Sequence, residues 1–341
     1  MKEIIFTLRI AVLAIFIYGC SQEDVVTRDP GGERSEPPIE EGDDGPVGSD
    51  PIGEETERQP FVTFNFTHRT TGRKIPFNYF APEIRKSSSD KYPLIVALHG
   101  AEYFFSPDSM FLKAEERTAY MALAWLERKN QQRYPSYVVA PNIHEGLWDA
   151  NDRSFFGWDT EHTSDFVEKL LDSILSSNTR IDDKRVYLVG HSMGGIGAWY
   201  FGAKYKEKFA AIIPLSSAFS TNDEVYPFVE SNIKNSSLKD LAIWSFIHRA
   251  DANSKPAEDG TRALVKTMEE QGYTPVYTHR KDTIDINLTD ERIFEEIQKG
   301  EKHFYTEYSY PCQSVGDCHF AQEVALREDF LLEWLFRQRK N

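Results

Sequence analysis

Gly190-His191-Ser192-Met193-Gly194 fits the pattern G-x-S-x-G, and its surroundings decide the fold. Before it runs Lys184-Arg185-Val186-Tyr187-Leu188-Val189, a short apolar, β-branched stretch of the kind that makes a buried strand. After it, Gly195-Ile196-Gly197-Ala198-Trp199-Tyr200-Phe201-Gly202-Ala203 opens with small residues and continues in a helical pattern. Strand, tight turn and helix together are the context of a nucleophile elbow. In such an elbow the serine is held in a strained backbone conformation, and the flanking glycines let strand and helix pass without Cβ clashes. The hydroxyl then stands at the carboxyl end of a parallel sheet, above a helix N-terminus. The competing reading is a Gly-rich turn of a Rossmann-like fold with an idle serine; the strand before and the small-residue helix after weigh against it.

A serine is a poor nucleophile without a base to take its proton and an acid to orient that base. With an elbow of this type the order along the chain is Ser, Asp/Glu, His. Of nine histidines, only His279, His303 and His319 lie far enough beyond Ser192. His319 sits in a glycine-containing loop between a strand-like run, 304–308, and an amphipathic stretch, 322–337, so it is the expected base. His303 falls before that strand, at the wrong end of the sheet, and His279 lies in a charged stretch, 278–285, that reads as surface. The acid should follow the apolar run 241–247, where Asp251 is the first carboxylate. Glu258 and Asp259 come next, at the start of an expected helix over 261–271, where acids often complement the helix dipole. An oxyanion needs backbone donors. One is expected from the amide of Met193; the other from Ala101 or Glu102, which follow the strand 94–98 and the turn at His99-Gly100. The chemistry so assembled calls for no cofactor.

The order expected after residue 61 is strand (61–67), strand (77–80), strand (94–98), helix (112–127), strand (137–140), helix (163–176), the elbow strand and helix, strand (211–215) and the acid strand. That alternation makes a mostly parallel sheet with helices on both faces. Together with the elbow, the sequence resembles the α/β-hydrolase superfamily over about 280 residues, carried by YPLIVALHG, VVAP, RVYLVGHSMGGIGAW, the strand before His248 and Asp251, and the His319 loop. VVAPN, Gly157-Trp158-Asp159 and TRIDDKRVYLVGHSMGG resemble the branch of secreted esterases that includes feruloyl and acetylxylan esterases, polyhydroxybutyrate depolymerases and dienelactone-hydrolase-like proteins. The resemblance implies an α/β-hydrolase fold and a serine esterase with Ser192, His319 and Asp251 as triad. Two departures stand out. Relatives carry the acid four residues past a histidine, in His-Gly-x-x-Asp; here that position is Ala252, Arg249 replaces the glycine, and Asp251 comes one place early. An extra stretch, 278–302, with a helix-like part at 290–298, is an insertion of the kind that shapes an acyl or alcohol pocket.

The chain opens as an export signal. Lys2 and Arg9 flank a short apolar run, 10–18, too short to span a membrane. Ile17-Tyr18-Gly19-Cys20 resembles a bacterial lipobox, which implies lipidation of Cys20, and Ser21-Gln22-Glu23-Asp24 resembles the acidic signal that sends Bacteroidota-type lipoproteins to the cell surface. Three regions follow: a lipoprotein signal (1–20), an acidic disordered linker (21–60) and an α/β-hydrolase catalytic domain (61–341). The linker holds 13 acidic and 3 basic residues, so most of the net charge of −15 lies there. The mildly acidic remainder argues against nucleic-acid binding. Cys312 and Cys318, an even pair in an exported domain, are expected to form a disulfide beside His319; a zinc site of Cys312, Cys318 and His319 is the rival, at a spacing that matches no common zinc pattern. Trp199 and Trp334 read as core. The loop aromatics Tyr103-Phe104-Phe105 and Phe155-Phe156-Gly157-Trp158 are core or stacking surfaces for a sugar or an aromatic acyl group. The expected partner is an ester, such as acylated extracellular polysaccharide, with membrane contact only through the lipid anchor. Two alternatives are a prolyl-oligopeptidase-like serine peptidase, weakened by the lack of a propeller domain, and a non-catalytic glycan-binding protein on a hydrolase scaffold, favoured by the missing aspartate at 252.

Overall fold

Strand β3, Tyr92–Leu98, is buried along almost its whole length, and the rest of the molecule is laid out to either side of it. The computed structural model describes residues 62–68, 71–83, 90–101, 120–143, 157–251, 259–281, 284–312 and 318–340; all belong to the unit Arg58–Asn341. The signal, Cys20 and the linker lie outside the described residues. The strands are β1 (Val62–Thr67), β2 (Lys74–Phe80), β3, β4 (Tyr137–Pro141), β5 (Ile181–His191), β6 (Ala211–Leu215), β7 (Ala242–His248), β8 (Val276–Tyr277), β9 (Arg280–Lys281), β10 (Ile284–Asp285) and β11 (His303–Tyr308). Nine of them form one sheet in the order β1-β2-β4-β3-β5-β6-β7-β11-β8, and β9 and β10 pair separately. β1 and β2 are antiparallel; the seven strands from β4 to β8 run parallel. This is the α/β-hydrolase fold the resemblance implied.

Helices α1 (Tyr120–Leu123), α2 (Arg128–Arg133), α3 (Glu161–Ser177), α4 (Met193–Lys204), α5 (Val225–Lys234), α6 (Gly260–Glu270), α7 (Asp290–Gln298), α8 (Gln322–Ala325) and α9 (Asp329–Arg337) complete the chain. The period-2 pleat sends alternate strand residues to opposite faces. Leu94, Val96 and Leu98 of β3 join Val186 and Leu188 of β5 against Phe166, Leu170 and Trp199 of α3 and α4. Ile95 and Ala97 join Tyr187, Val189 and Trp244 against Phe330, Leu331 and Trp334 of α9. Both faces are thus dry, which is why the parallel strands read as continuous apolar runs. Trp199 and Trp334 are fully buried, as their sequence context predicts. Among the described residues, no helix is long and apolar enough to cross a membrane.

The strand order places the site. From β3 the chain crosses to β4 on one side, then returns past β3 to β5 on the other. The carboxyl ends of β3 and β5 therefore flank a topological switch point, where open α/β sheets bind ligands. Leu98 pairs with Gly190 in register, so the segments that follow, His99-Gly100-Ala101 and His191-Ser192, leave the sheet side by side.

Several expectations are corrected. Part of the helix expected over 112–127 lies outside the described residues; the rest is α1 and a 3₁₀ turn, Ala124–Leu126, with the helix resuming as α2 after Glu127 turns to extended angles. The break leaves the carbonyls of Ala124 and Trp125 to Asn130 Nδ2 and Gln131 Nε2, each donating at 2.8 Å. The helix expected over 322–337 is two, α8 and α9, with Glu328 extended between them (φ −75°, ψ 118°). Apolar residues on both sides of this break, Leu326 and Phe330 among them, enter the same core cluster. In the insertion, α7 has the bounds expected for it, whereas Thr278, expected at the surface, is buried and hydrogen-bonded to Thr306 of β11 at 2.8 Å.

Candidate active site

Ser192 has φ 55° and ψ −115°, a left-handed conformation that only strong local constraints impose on a residue with a side chain. Its amide donates to the Leu215 carbonyl of β6 at 2.9 Å, and its own carbonyl accepts from Ile196, the first helical bond of α4, at 3.1 Å. The amides of Met193, Gly194 and Gly195 therefore stand at the helix N-terminus, outside the helical ladder. The glycines are steric requirements. A Cβ on Gly190 would overlap the backbone of Gly194; one on Gly194 would overlap the Leu98 carbonyl; one on Gly195 would come 2.6 Å from Ser217 Oγ. The elbow is thus a crossing of three backbones at the ends of β3, β5 and β6.

Asp251 and His319, 68 residues apart, meet here. His319 Nδ1 donates to Asp251 Oδ2 at 2.7 Å, and the two residues are only 5% and 4% exposed. The Asp251 amide donates to the His248 carbonyl at 3.0 Å, closing a tight turn at the end of β7. Asp259 is placed elsewhere, as N-cap of α6, its Oδ1 accepting from the Arg262 amide at 2.8 Å. Ala252 and Glu258 lie outside the described residues. His319 is anchored on the elbow by His191, whose Nε2 donates to the His319 carbonyl at 2.9 Å with ring centroids 4.9 Å apart. Residue 191 occupies a variable position of the motif, so the pattern gave no sign of this link.

The oxyanion-loop candidates divide. Ala101 is buried directly after β3; Glu102 lies outside the described residues. His99 fixes this loop. Its Nδ1 donates to the Gly100 carbonyl at 2.7 Å, while its Nε2 accepts from the Ile143 amide at 3.2 Å. Carbonyl and N–H point in opposite directions across a trans peptide, so holding the Gly100 carbonyl on the His99 ring turns the Ala101 N–H away from it. The His99 carbonyl in turn accepts from Trp158 Nε1 at 2.9 Å. Trp158 is fully buried against Gly197, so of the two readings offered for it the structure selects core; the aromatics 103–105 and 155–156 lie outside the described residues.

Cys312 and Cys318 form a disulfide with Cα atoms 5.5 Å apart, and the zinc reading with His319 gives way to it: both sulfurs are bonded to each other and His319 is committed to Asp251. The other downstream histidines play structural parts. His303 opens β11 at the far end of the sheet, donating to the Leu241 carbonyl at 3.1 Å, and burial pushes its pKa down to about 4. His279 packs on Tyr308 with Thr278 Oγ1 at 2.8 Å from its Nδ1; burial lowers its pKa too.

Residues 68–308 match the Esterase family model, which carries the description "Putative esterase"; the matched segment includes Ser192 and Asp251 and stops short of His319. Among solved structures, a thermostable esterase is 25% identical with a TM-score of 0.57, the match covering 82% of this chain and 63% of that one. The chain therefore spans less than two thirds of the length of that esterase. The enterobactin esterase of Shigella flexneri is 13% identical with a TM-score of 0.50, covering 81% and 59%. A ferulic acid esterase is 15% identical with a TM-score of 0.48, covering 81% and 98%. The likeness to the enterobactin esterase is one of fold alone. No curated protein matches the sequence.

Proposed function

The chain belongs to the Esterase family of carboxylic ester hydrolases, and on that premise we propose that it cleaves esters with Ser192 as nucleophile, His319 as general base and acid, and Asp251 as the group that orients the base and stabilises its charged form. The observation that carries this reading is the buried 2.7 Å contact between His319 Nδ1 and Asp251 Oδ2, with the His319 carbonyl held by His191, next in the chain to a serine at φ 55°. With its Nδ1–H donating to the carboxylate, the imidazole presents Nε2 as an acceptor. In the proposed cycle His319 takes the Ser192 proton as Oγ attacks the carbonyl carbon, then returns it to the leaving alcohol. Water repeats the sequence on the acyl-enzyme. The amides of Met193 and Ala101 hold the tetrahedral oxyanion, an effect worth about 3 kcal/mol per donor in sites of this kind. Every group in the cycle is a side chain or backbone amide, so it asks for no cofactor. On this reading the acid missing at 252 is supplied one place earlier by Asp251, which weighs against a non-catalytic scaffold.

For substrate, we propose acyl groups on polysaccharide outside the cell. Support comes from the expected address: a lipid on Cys20 and a long acidic tether, 21–60, suit an enzyme held at a surface and facing polymers. A panel of p-nitrophenyl acetate, feruloyl esters and acetylated xylan tests this. Turnover of polysaccharide-borne esters at a kcat/KM at least that of p-nitrophenyl acetate is the expected result. Activity confined to small soluble esters overturns the substrate but leaves the mechanism standing.

A further inference from the structure

His248 ends β7 outside the proposed triad, yet its contacts reach the backbone of Asp251 and the root of the segment that carries His319. Its carbonyl closes the turn by accepting the Asp251 amide at 3.0 Å. Its ring Nδ1 accepts the Ala250 amide at 3.1 Å, and its Nε2 donates to the Tyr310 carbonyl at 2.9 Å. The two ring bonds require one and the same tautomer, with the proton on Nε2. Ala250 directly precedes Asp251. Tyr310 lies two residues before Cys312, and the disulfide partner Cys318 directly precedes His319. One buried imidazole therefore caps the acid's turn and pins the root of the loop that carries the base.

The rival for this cluster is a metal site, because ligand atoms of His248, Cys312 and Cys318 all lie within 4.8 Å of one another. The ring is wrongly turned for it. Cys312 Sγ is 3.7 Å from Nδ1 and 3.4 Å from Nε2. A sulfur nearly equidistant from both nitrogens lies in the line of neither in-plane lone pair, and both nitrogens already hold backbone partners. The disulfide rests on the imidazole as a packing contact.

We propose that His248 is a positioning residue, which acts through Asp251 by fixing the turn that presents its carboxylate to His319. This rests on the triad reading above. Burial holds the ring below its ordinary pKa and so keeps the neutral form the two bonds need; the charged groups around it are Asp251, Arg249 and Glu307. A displacement of the carboxylate by about 1 Å is enough to lower turnover 10²-fold.

The test is a double-mutant cycle on p-nitrophenyl acetate, with thermal unfolding of each variant. His248→Ala is expected to lower kcat 10- to 100-fold with KM within twofold. His248→Asn, whose side-chain oxygen can still accept the Ala250 amide, should recover part of the loss. In an Asp251→Asn background either change should cost less than twofold, because the group being positioned has lost its function. If Asp251→Asn is strongly impaired but measurable and the His248 variants lose the same factor in both backgrounds, or lose nothing in either, the positioning role is overturned and the triad stands. If Asp251→Asn is fully active, the triad fails and takes the positioning role with it. Should His248→Ala not fold, His248→Asn carries the same cycle.

Discussion

Asp251→Asn isolates the acid with almost no change in shape. In the wild type the carboxylate accepts a 2.7 Å bond from His319 Nδ1, and both groups are nearly excluded from water. Two losses follow from the substitution. The asparagine can present its amide nitrogen, which forces the imidazole into the tautomer with its proton on Nε2, unable to accept from Ser192. If it presents oxygen instead, the tautomer survives but the negative charge that stabilises the imidazolium in the transition state is gone. A bond to a charged partner is worth about 1.5–3 kcal/mol against about 1 for a neutral one, and breaking a buried charged pair costs about 3–5 kcal/mol. At 1.36 kcal/mol per decade, kcat should fall about 10²- to 10⁴-fold. The assay is initial-rate hydrolysis of p-nitrophenyl acetate at pH 7 to 8, with circular dichroism as a check on folding. Asp259→Asn is the paired control. Asparagine caps a helix as well as aspartate does, and Asp259 caps α6, so that variant should keep wild-type activity, as should Glu258→Gln. An Asp251→Asn enzyme within tenfold of wild type, beside an inactive Asp259 or Glu258 variant, would refute the assignment of the acid.

Three further outcomes are expected. Gly194→Ala should destabilise the fold by about 3 kcal/mol through overpacking, because the added methyl overlaps the Leu98 carbonyl and lies 2.8 Å from that of His99; urea denaturation gives the value, and a loss under 0.5 kcal/mol contradicts the backbone crossing. Reducing Cys312–Cys318 should lower stability by only about 2 kcal/mol, the entropy of a short loop, while kcat falls more than tenfold because His319 follows the second cysteine; equal activity before and after complete reduction counts against it. His303 gives a pH signature. Its folded pKa of about 4 lies below the ordinary 6.5, so its contribution is full above pH 6.5 and is lost as pH falls towards 4, by about 3 kcal/mol at most. Urea midpoints for His303→Gln should decline less between pH 7 and pH 4.5 than those of wild type.

The elbow was legible because every constraint on it is local: an apolar strand, glycines where backbones cross, and small residues opening the helix. The candidate base was legible from position, since His319 is the one histidine in the sequence between the last strand and the helices after it. The candidate acid was only half legible. Whether Asp251 reaches His319 depends on a turn closed by the His248 carbonyl and capped by the His248 ring, and that ring's other partner, Tyr310, is 62 residues away. No spacing rule contains such a contact. The breaks at Glu127 and Glu328 have no Gly or Pro to announce them; side-chain amides and core packing make them. α5 is different. Val225, Val229 and Ile233 repeat at a spacing of four, but Pro227 masks the pattern, reading as a breaker although it sits in the first turn, where its missing N–H costs little.

Covalent labelling tests the central claim most directly. The protein is treated with a fluorophosphonate, its intact mass is measured, and the labelled peptide is sequenced. A single adduct on Ser192 is the predicted result, absent from Ser192→Ala, which should remain folded and lose ester hydrolysis by about 10⁴-fold or more. No adduct on the folded wild type, or a Ser192→Ala variant that keeps a tenth of the activity, would contradict the account.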